Sequence, residues 1–166
     1  DSEGNWLAEQ GWYDVPLTQG SGGGASSLYA RPSWQEGHEK AGPRDRRLSP
    51  DVAAVADPFT GVKFVYKQQV LVGGGTSQSA PIWAGFAAVI NQYLASRGLG
   101  PLGDLIIPDP EKSLAEGAVA PAFRDISLGA NAVTPVHPGY DMITGLGSPN
   151  IANLVKDLLV LRTVGR

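Results

Sequence analysis

The sequence contains no cysteine. A disulfide framework, a thiolate nucleophile and a cysteine-ligated zinc site are therefore excluded. It also has no apolar run approaching the roughly 20 residues that a membrane-spanning helix needs, so no membrane partner is expected. The net charge of −3 comes without a basic stripe, which argues against a nucleic-acid partner.

Glycine and proline are abundant, with 22 and 13 residues, and predict many loops and tight turns. A length of 166 residues with 17% charged side chains suits one globular domain, or most of one. Residues 1–20 are polar with isolated aromatic side chains and predict an irregular N-terminal stretch. We expect this stretch to continue a domain that begins further upstream. SGGGASS, at residues 21–27, indicates a flexible loop, and residues 31–50 indicate irregular surface structure.

Short strands are predicted after this irregular region. The apolar run DVAAVAD, at residues 51–57, is bounded by prolines and predicts a buried central strand. VKFVY and QVLVGG then flank the turn Lys67-Gln68 and predict a β-hairpin over residues 62–74.

Two helices are indicated by apolar residues at helical spacing. The first covers about residues 80–97, ends at Gly98, and has so few polar residues in its first half that we expect burial nearly all round. The second follows Asn150, a favourable N-cap. A short helix is also predicted near residues 111–116.

The segment VGGGTSQSAPIWAG, residues 72–85, joins a strand end, three glycines and a helix start. Glycines allow a sharp turn and the close approach of a substrate. The helix N-terminus presents unpaired N–H groups and the positive end of the helix dipole, which favour a serine alkoxide and the oxyanion that it creates. Ser77 is therefore the candidate nucleophile, and a serine that only caps the helix is the alternative.

GGTSQSAPIWAG resembles the active-site serine segment of the sedolisins, the serine-carboxyl peptidases of the subtilisin-like superfamily. Three further stretches resemble the family in the same order: SGGGAS, then LSPDVAAVADPFTG, then FRDIS with GYDMITGLGSPN. The resemblance covers residues 21–159. It implies an α/β fold, a subtilisin-like parallel sheet with flanking helices, of which residues 1–166 form an incomplete C-terminal portion of a single peptidase domain.

The resemblance further implies a secreted endopeptidase that is matured from a zymogen and cleaves polypeptides at acidic pH. Ser77 would attack the scissile carbonyl, with a Glu as general base, an Asp orienting that Glu and a second Asp in the oxyanion hole. In the family these acidic residues precede the glycine segment, and neither Glu3 nor Glu9 lies in the family's E-x-x-x-D pattern. We therefore assign no general base in this chain, and we expect the N-terminal half of the same domain as its partner.

Two aspartates lie beside glycine-containing loops, in FRDIS and in PVHPGYDMITG. Calcium prefers such mixtures of carboxylate and backbone carbonyl oxygens. The resemblance implies one bound Ca²⁺ in this region, and ordinary loop-capping aspartates are the alternative. The implied ligands are the side chains of Asp125 and Asp141 and the carbonyls of Ile126, His137 and Gly139, although the family commonly has glycine at the position of His137.

Two other functions remain open from the residues alone. A Ser-His-Asp hydrolase would have to use His38 or His137, the two histidines of the chain, and both lie in polar stretches where we expect exposed side chains. His137 is close enough to Asp141 in sequence to suggest a dyad. The other possibility is a catalytically inert, calcium-stabilised C-terminal module.

Overall fold

The computed structural model describes residues 2–3, 5–103 and 121–164. Within these residues the strands pair as four separate two-stranded antiparallel sheets. The pairs are β1 (Tyr13–Asp14) with β2 (Gln19–Gly20), β3 (Gly24–Ala30) with β4 (Arg46–Ser49), β5 (Val62–Tyr66) with β6 (Gln69–Gly73), and β7 (Phe123–Arg124) with β8 (Ser148–Pro149). Three 3-10 helices cover Val15–Leu17, Ser33–Gln35 and Glu39–Ala41.

Both long helices are present. The first, α1, covers Thr76–Ser96, and Gly98 follows it with a φ of 70°, as the predicted stop requires. The second, α2, covers Ile151–Val164. Asn150 caps α2, because its Oδ1 accepts a hydrogen bond from the backbone N–H of Asn153 at 3.2 Å. The helix predicted near residues 111–116 lies outside the described residues.

The start of α1 differs from the prediction. The helix begins at Thr76, about one turn before residue 80, and Pro81 lies inside it. Proline is favoured in the first turn of a helix, which is why the sequence suggested a start close to Pro81. The observed start places Ser77 in the first turn of α1.

The expectation that the first half of α1 is buried nearly all round is wrong. Ile90 and Leu94 are the buried residues of α1, and both lie in its second half. The described elements that cover α1 contact one side of it, through the core that it shares with β7 and α2. The opposite side of the helix is exposed and consists mainly of small or apolar residues, namely Pro81, Ala84, Gly85, Ala88 and Val89.

The main hydrophobic core lies between α1, β7 and α2. Its buried members are Ile90, Leu94, Ala122, Phe123, Leu154 and Leu158. Trp83 extends this core toward the start of α1, with its ring stacked on that of Phe123 at a centroid distance of 6.1 Å. No described helix is both long enough and apolar enough to cross a membrane.

The predicted central strand at residues 51–57 does not form among the described residues, and neither does a parallel sheet. Carbonyl groups of this segment accept hydrogen bonds from α1 side chains instead of from a neighbouring strand. Ser79 Oγ donates to the carbonyls of Ala54 and Val55, and Trp83 Nε1 donates to that of Ala53. The apolar run predicts an extended segment, but pairing requires a second strand that the described residues do not supply.

The regions predicted as irregular contain more structure than expected. Residues 1–20 include β1 and β2, and residues 21–27 run into β3 instead of forming a linker. Gly23 is required for packing, since a Cβ at this position would lie 1.7 Å from the carbonyl oxygen of Met142. Gln35, 1% exposed, ties β4 in place: its Nε2 donates to the Leu48 carbonyl, and its Oε1 accepts from the Leu48 N–H.

The pairing of β5 with β6 confirms the hairpin predicted from VKFVY and QVLVGG on either side of Lys67-Gln68. Both residues of its turn have positive φ, 47° at Lys67 and 64° at Gln68. A left-handed conformation is unfavourable for residues that carry a Cβ. Two-residue hairpin turns with positive φ at both positions favour Asn-Gly for this reason.

Replacing the turn by Lys67→Asn with Gln68→Gly is expected to stabilise the protein by about 1 kcal/mol, because the left-handed backbone is then unstrained. For a chain of this size the melting temperature should rise by about 2–4 °C. Thermal unfolding followed by circular dichroism measures the shift. Gln69→Gly, one residue away inside β6, is the matched control and should lower the melting temperature.

Candidate functional site

Ser77 lies on the surface, in the first turn of α1 and directly after the glycine turn. The turn is fixed by two backbone hydrogen bonds: the N–H of Gly75 donates to the Ala56 carbonyl at 2.5 Å, and the N–H of Gln78 donates to the Gly75 carbonyl at 2.9 Å. Gly75 has a φ of 90°, a conformation that strongly favours glycine. The backbone of this turn therefore presents the hydroxyl of Ser77 to solvent at the positive end of the α1 dipole.

The glycine turn also depends on close packing. A Cβ at Gly74 would lie 2.5 Å from the Cα of Pro58, and one at Gly73 would lie 2.7 Å from Oε1 of Gln78. Gly74 therefore excludes a side chain for steric reasons, whereas a side chain at Gly73 would require the flexible Gln78 side chain to move. Residues 73–75 are held between the end of β6 and the segment that follows residue 57.

Among the described residues, no hydrogen bond joins the Ser77 hydroxyl to a carboxylate or an imidazole. The neighbouring serine has a different role, because Ser79 Oγ donates to carbonyls of the 53–57 segment. Ser79 thus anchors the helix start, whereas Ser77 is left accessible.

Asp141 is 4% exposed and organises its own loop. Its Oδ1 accepts hydrogen bonds from the backbone N–H groups of Ile143 and Thr144, at 2.7 and 2.8 Å, and from the Thr144 hydroxyl at 3.2 Å. Its Oδ2 accepts from the N–H of His137 at 3.1 Å and from the Thr144 hydroxyl at 3.3 Å. Since Oδ1 already has three donors, Oδ2 is the oxygen with room for a further partner.

Asp125 is exposed and lies against the same loop, because its Oδ2 accepts a hydrogen bond from the N–H of Gly139 at 3.0 Å. No backbone N–H of the described residues donates to the carbonyls of Ile126, His137 or Gly139. All five predicted ligands therefore belong to one contiguous arrangement around residues 125–126 and 137–141.

In the part of the chain that the structure describes, no group of three or more acidic or histidine side chains could hold a metal. A cation at the Asp125–Asp141 loops would therefore depend on backbone oxygens as well as on the two carboxylates. Mixed coordination of that kind suits calcium and disfavours zinc.

Tyr140 links this loop to the rest of the site, and no pattern in the sequence predicts this role. Its hydroxyl donates to the Pro50 carbonyl at 2.8 Å, and its ring stacks on that of His38 at a centroid distance of 4.7 Å. Burial raises the pKa of Tyr140 well above its ordinary value, and the nearby Asp51 raises it further. The hydroxyl is therefore protonated and able to donate throughout the physiological range.

The histidines do not form a catalytic pair with Ser77. His137 is exposed as expected, and its contact with Asp141 is made by the backbone N–H, so no imidazole–carboxylate dyad is present. The expectation for His38 is wrong, because its ring is partly buried by the stack on Tyr140. The Ser-His-Asp interpretation thus has no support in the geometry.

A cavity of about 470 Å³ lies beside the 53–57 segment, which forms one of its walls. The N-terminal stretch forms its second wall, which includes Glu9. Glu9 does not face Ser77 but accepts a short hydrogen bond from Ser148 Oγ, near β8. In the described residues, no backbone N–H of residues 54–57 donates to another backbone carbonyl.

Comparison with solved structures identifies the class of protein. The chain is similar over its whole length to Pseudomonas sedolisin, a serine-carboxyl proteinase solved with two molecules of pseudo-iodotyrostatin, with a TM-score of 0.72 and 29% sequence identity. The match covers 44% of that chain. The fold is thus that of a subtilisin-like α/β peptidase domain, present here in part.

Sequence comparison agrees, although no family model matches the chain. The chain is 36% identical to kumamolisin of Bacillus sp. (strain MN-32), over 95% of this chain and 29% of that protein. It is 31% identical to tripeptidyl-peptidase 1 of Bos taurus, over 84% of this chain and 27% of that protein. The chain belongs to the sedolisin family of peptidases and spans less than a third of these relatives' length.

The close packing of the glycine turn, residues 73–75, can be tested with one pair of glycine substitutions. Gly74→Ala should destabilise the protein by about 2 kcal/mol, because the new methyl group would overlap Pro58. Gly85→Ala makes the same chemical change in open space on α1 and should stabilise by about 0.5–1 kcal/mol. Urea unfolding of the two variants measures both effects. Equal effects at the two positions would contradict the packing described for the turn.

Proposed function

We propose that this chain is the nucleophile-bearing, C-terminal portion of a serine-carboxyl endopeptidase that hydrolyses polypeptides at acidic pH. Ser77 is the nucleophile in this proposal and attacks the scissile carbonyl. The observation that carries it is the exposed Ser77 hydroxyl in the first turn of α1, after a glycine turn fixed by the Gly75–Ala56 hydrogen bond. N–H groups at a helix start are suitable donors to a tetrahedral oxyanion.

The general base and the oxyanion aspartate are proposed to come from the N-terminal half of the same domain. The support is the absence, among the described residues, of a carboxylate or imidazole bonded to Ser77. The use of a carboxylate as base implies action in acid, since a carboxyl group titrates well below a histidine. Family membership also supports export and maturation from a precursor as parts of the same proposal.

Two surfaces favour association with that missing half. One is the exposed face of α1, which carries small and apolar residues instead of charged ones. The other is the cavity beside residues 53–57, where the backbone N–H groups of residues 54–57 have no backbone acceptor among the described residues. An added strand would satisfy those groups and would form the sheet that the described residues lack.

The decisive experiment compares peptide hydrolysis near pH 4 by the chain alone, by the chain mixed with the upstream segment, and by the same mixture carrying Ser77→Ala. Of the three samples, only the wild-type mixture is expected to hydrolyse the peptide. Loss of the nucleophile should lower kcat by about 10⁴-fold or more. Ser79→Ala is the matched control. It removes hydrogen bonds to the 53–57 segment and should lower stability more than it changes the chemical step.

The outcomes separate the possibilities. Activity of the chain alone that disappears in Ser77→Ala would contradict the proposal that the base lies upstream. Full activity of the Ser77→Ala mixture would contradict the role of Ser77. Inactivity of the wild-type mixture would favour the second candidate, a catalytically inert module stabilised by calcium. The observation that supports it is that no carboxylate or imidazole of the described residues is bonded to Ser77.

We further propose a calcium site at the Asp125–Asp141 loops. Asp125 and Oδ2 of Asp141 would supply carboxylate oxygens, and the carbonyls of Ile126, His137 and Gly139 would complete the protein ligands. The ion would neutralise two carboxylates that share one set of loops and would hold the loops together. Its contribution is to stability and not to the chemical step.

Calcium at about 100 times its dissociation constant should stabilise the wild-type chain by about 2.7 kcal/mol. For a chain of this size the melting temperature should then rise by about 5–10 °C relative to the protein in chelator. Asp125→Asn should weaken calcium binding at least tenfold, measured by isothermal titration. Asp45→Asn, at an exposed aspartate paired with Arg46, is the control and should bind as the wild type does. Equal melting temperatures of the wild-type chain in calcium and in chelator would contradict the proposed calcium site.

A further inference from the structure

The segment formed by residues 50–57 lies between the proposed calcium loop and the nucleophile turn. On the loop side, the N–H of Leu146 donates to the Asp51 carbonyl at 2.8 Å, and the N–H of Ala53 donates to the Gly147 carbonyl at 2.9 Å. The packing is close, since a Cβ at Gly145 would lie 2.3 Å from the Asp51 carbonyl. Residues 145–147, which follow the proposed calcium loop in the chain, therefore hold this segment on that side.

On the other side, the same segment sets the position of the nucleophile. The carbonyl of Ala56 accepts from the N–H of Gly75, two residues before Ser77. The carbonyl of Ala53 accepts from Trp83 Nε1 at 3.0 Å, one and a half helical turns further along α1. A displacement of residues 50–57 would thus be passed on both to the glycine turn and to the helix.

Tyr140 holds the first residue of this segment. Its hydroxyl donates to the Pro50 carbonyl, and the buried Gln35 Nε2, which donates to Oδ1 of Asp51 at 2.9 Å, lies 3.4 Å from that hydroxyl. Tyr140 itself lies between Gly139 and Asp141, two of the proposed calcium ligands. One side chain therefore joins the loop to the segment that carries the nucleophile turn.

We propose that Tyr140 is a positioning residue for Ser77. In this proposal, its hydrogen bond to Pro50 fixes residues 50–57 and, through the Ala56–Gly75 bond, the backbone that presents the nucleophile. The proposal rests on the proposed function for the role of Ser77, but the physical coupling can be measured without activity. It also gives the loop of residues 137–141 a means of influencing the active serine from a distance.

The test uses the full chain labelled with ¹⁵N and the variant Tyr140→Phe, which keeps the ring that stacks on His38 and removes only the hydroxyl. Loss of the hydrogen bond to Pro50 should speed amide hydrogen exchange at Gly75 and Ala53 by about fivefold. The indole N–H signal of Trp83, which is bonded to Ala53, should shift in the same spectrum. Trp83→Phe assigns that signal by its disappearance.

Three controls separate positioning from general destabilisation. Amides of Leu154 and Leu158 in α2, which belong to the main core, should exchange at the wild-type rate. Tyr29→Phe removes a hydroxyl from a side chain that is 70% exposed and should leave the Gly75 rate unchanged. His38→Ala removes the ring stack but retains the hydroxyl bond, and should change the Gly75 rate less than Tyr140→Phe does.

An unchanged Gly75 rate in Tyr140→Phe would overturn the proposal, as would an equal acceleration of every amide, including those of α2. In the mixture with the upstream segment, the proposal further predicts a lower kcat at unchanged KM for Tyr140→Phe. The two proposals can fail separately. Inactivity of the wild-type mixture would contradict the role of Ser77, whereas an unchanged hydrogen-exchange rate of the Gly75 amide in Tyr140→Phe would contradict the role of Tyr140.

Discussion

The hydrogen bonds that tie residues 53–57 to the start of α1 are the constraint on which the site depends. Carbonyl groups of this segment accept from Trp83, Ser79 and Gly75, so hydrogen bonds from three residues join the segment to the helix start. The helix in turn is held by the core that it shares with β7 and α2. The position of the exposed Ser77 therefore depends on two features. One is the apolar core that holds α1, and the other is the 53–57 segment, which has no strand partner among the described residues.

Glycine has a steric role in this arrangement as well as a conformational one. Gly75 supplies a positive φ at the turn, whereas Gly73 and Gly74 leave room for Gln78 and Pro58. Gly145 plays the same part on the loop side, where it allows the backbone to approach Asp51. Close backbone contacts at the two ends of one segment thus account for Gly74 and Gly145.

Local patterns predicted local features correctly. The segments VKFVY and QVLVGG indicated the β5–β6 hairpin, Asn150 indicated the start of α2, and the glycine-serine motif indicated the helix turn at Ser77. The burial of α1 and the strand at residues 51–57 could not be predicted in this way, because both depend on partners that no local pattern contains. Tyr140 was missed for the same reason: its partner Pro50 is 90 positions away in sequence. Membership of the sedolisin family, in contrast, followed from four motifs in order and agrees with the comparisons.

The central claim is that Ser77 becomes a nucleophile only when the rest of the domain supplies a carboxylate base. The most direct measurement is the mass of the Ser77 peptide after an activated acyl substrate is added near pH 4 and the reaction is quenched in stronger acid. An acyl group on Ser77 that appears in the mixture with the upstream segment, and not in the chain alone, is the predicted result. Acylation of the chain alone at Ser77, or acylation of a different residue in the mixture, would contradict the account.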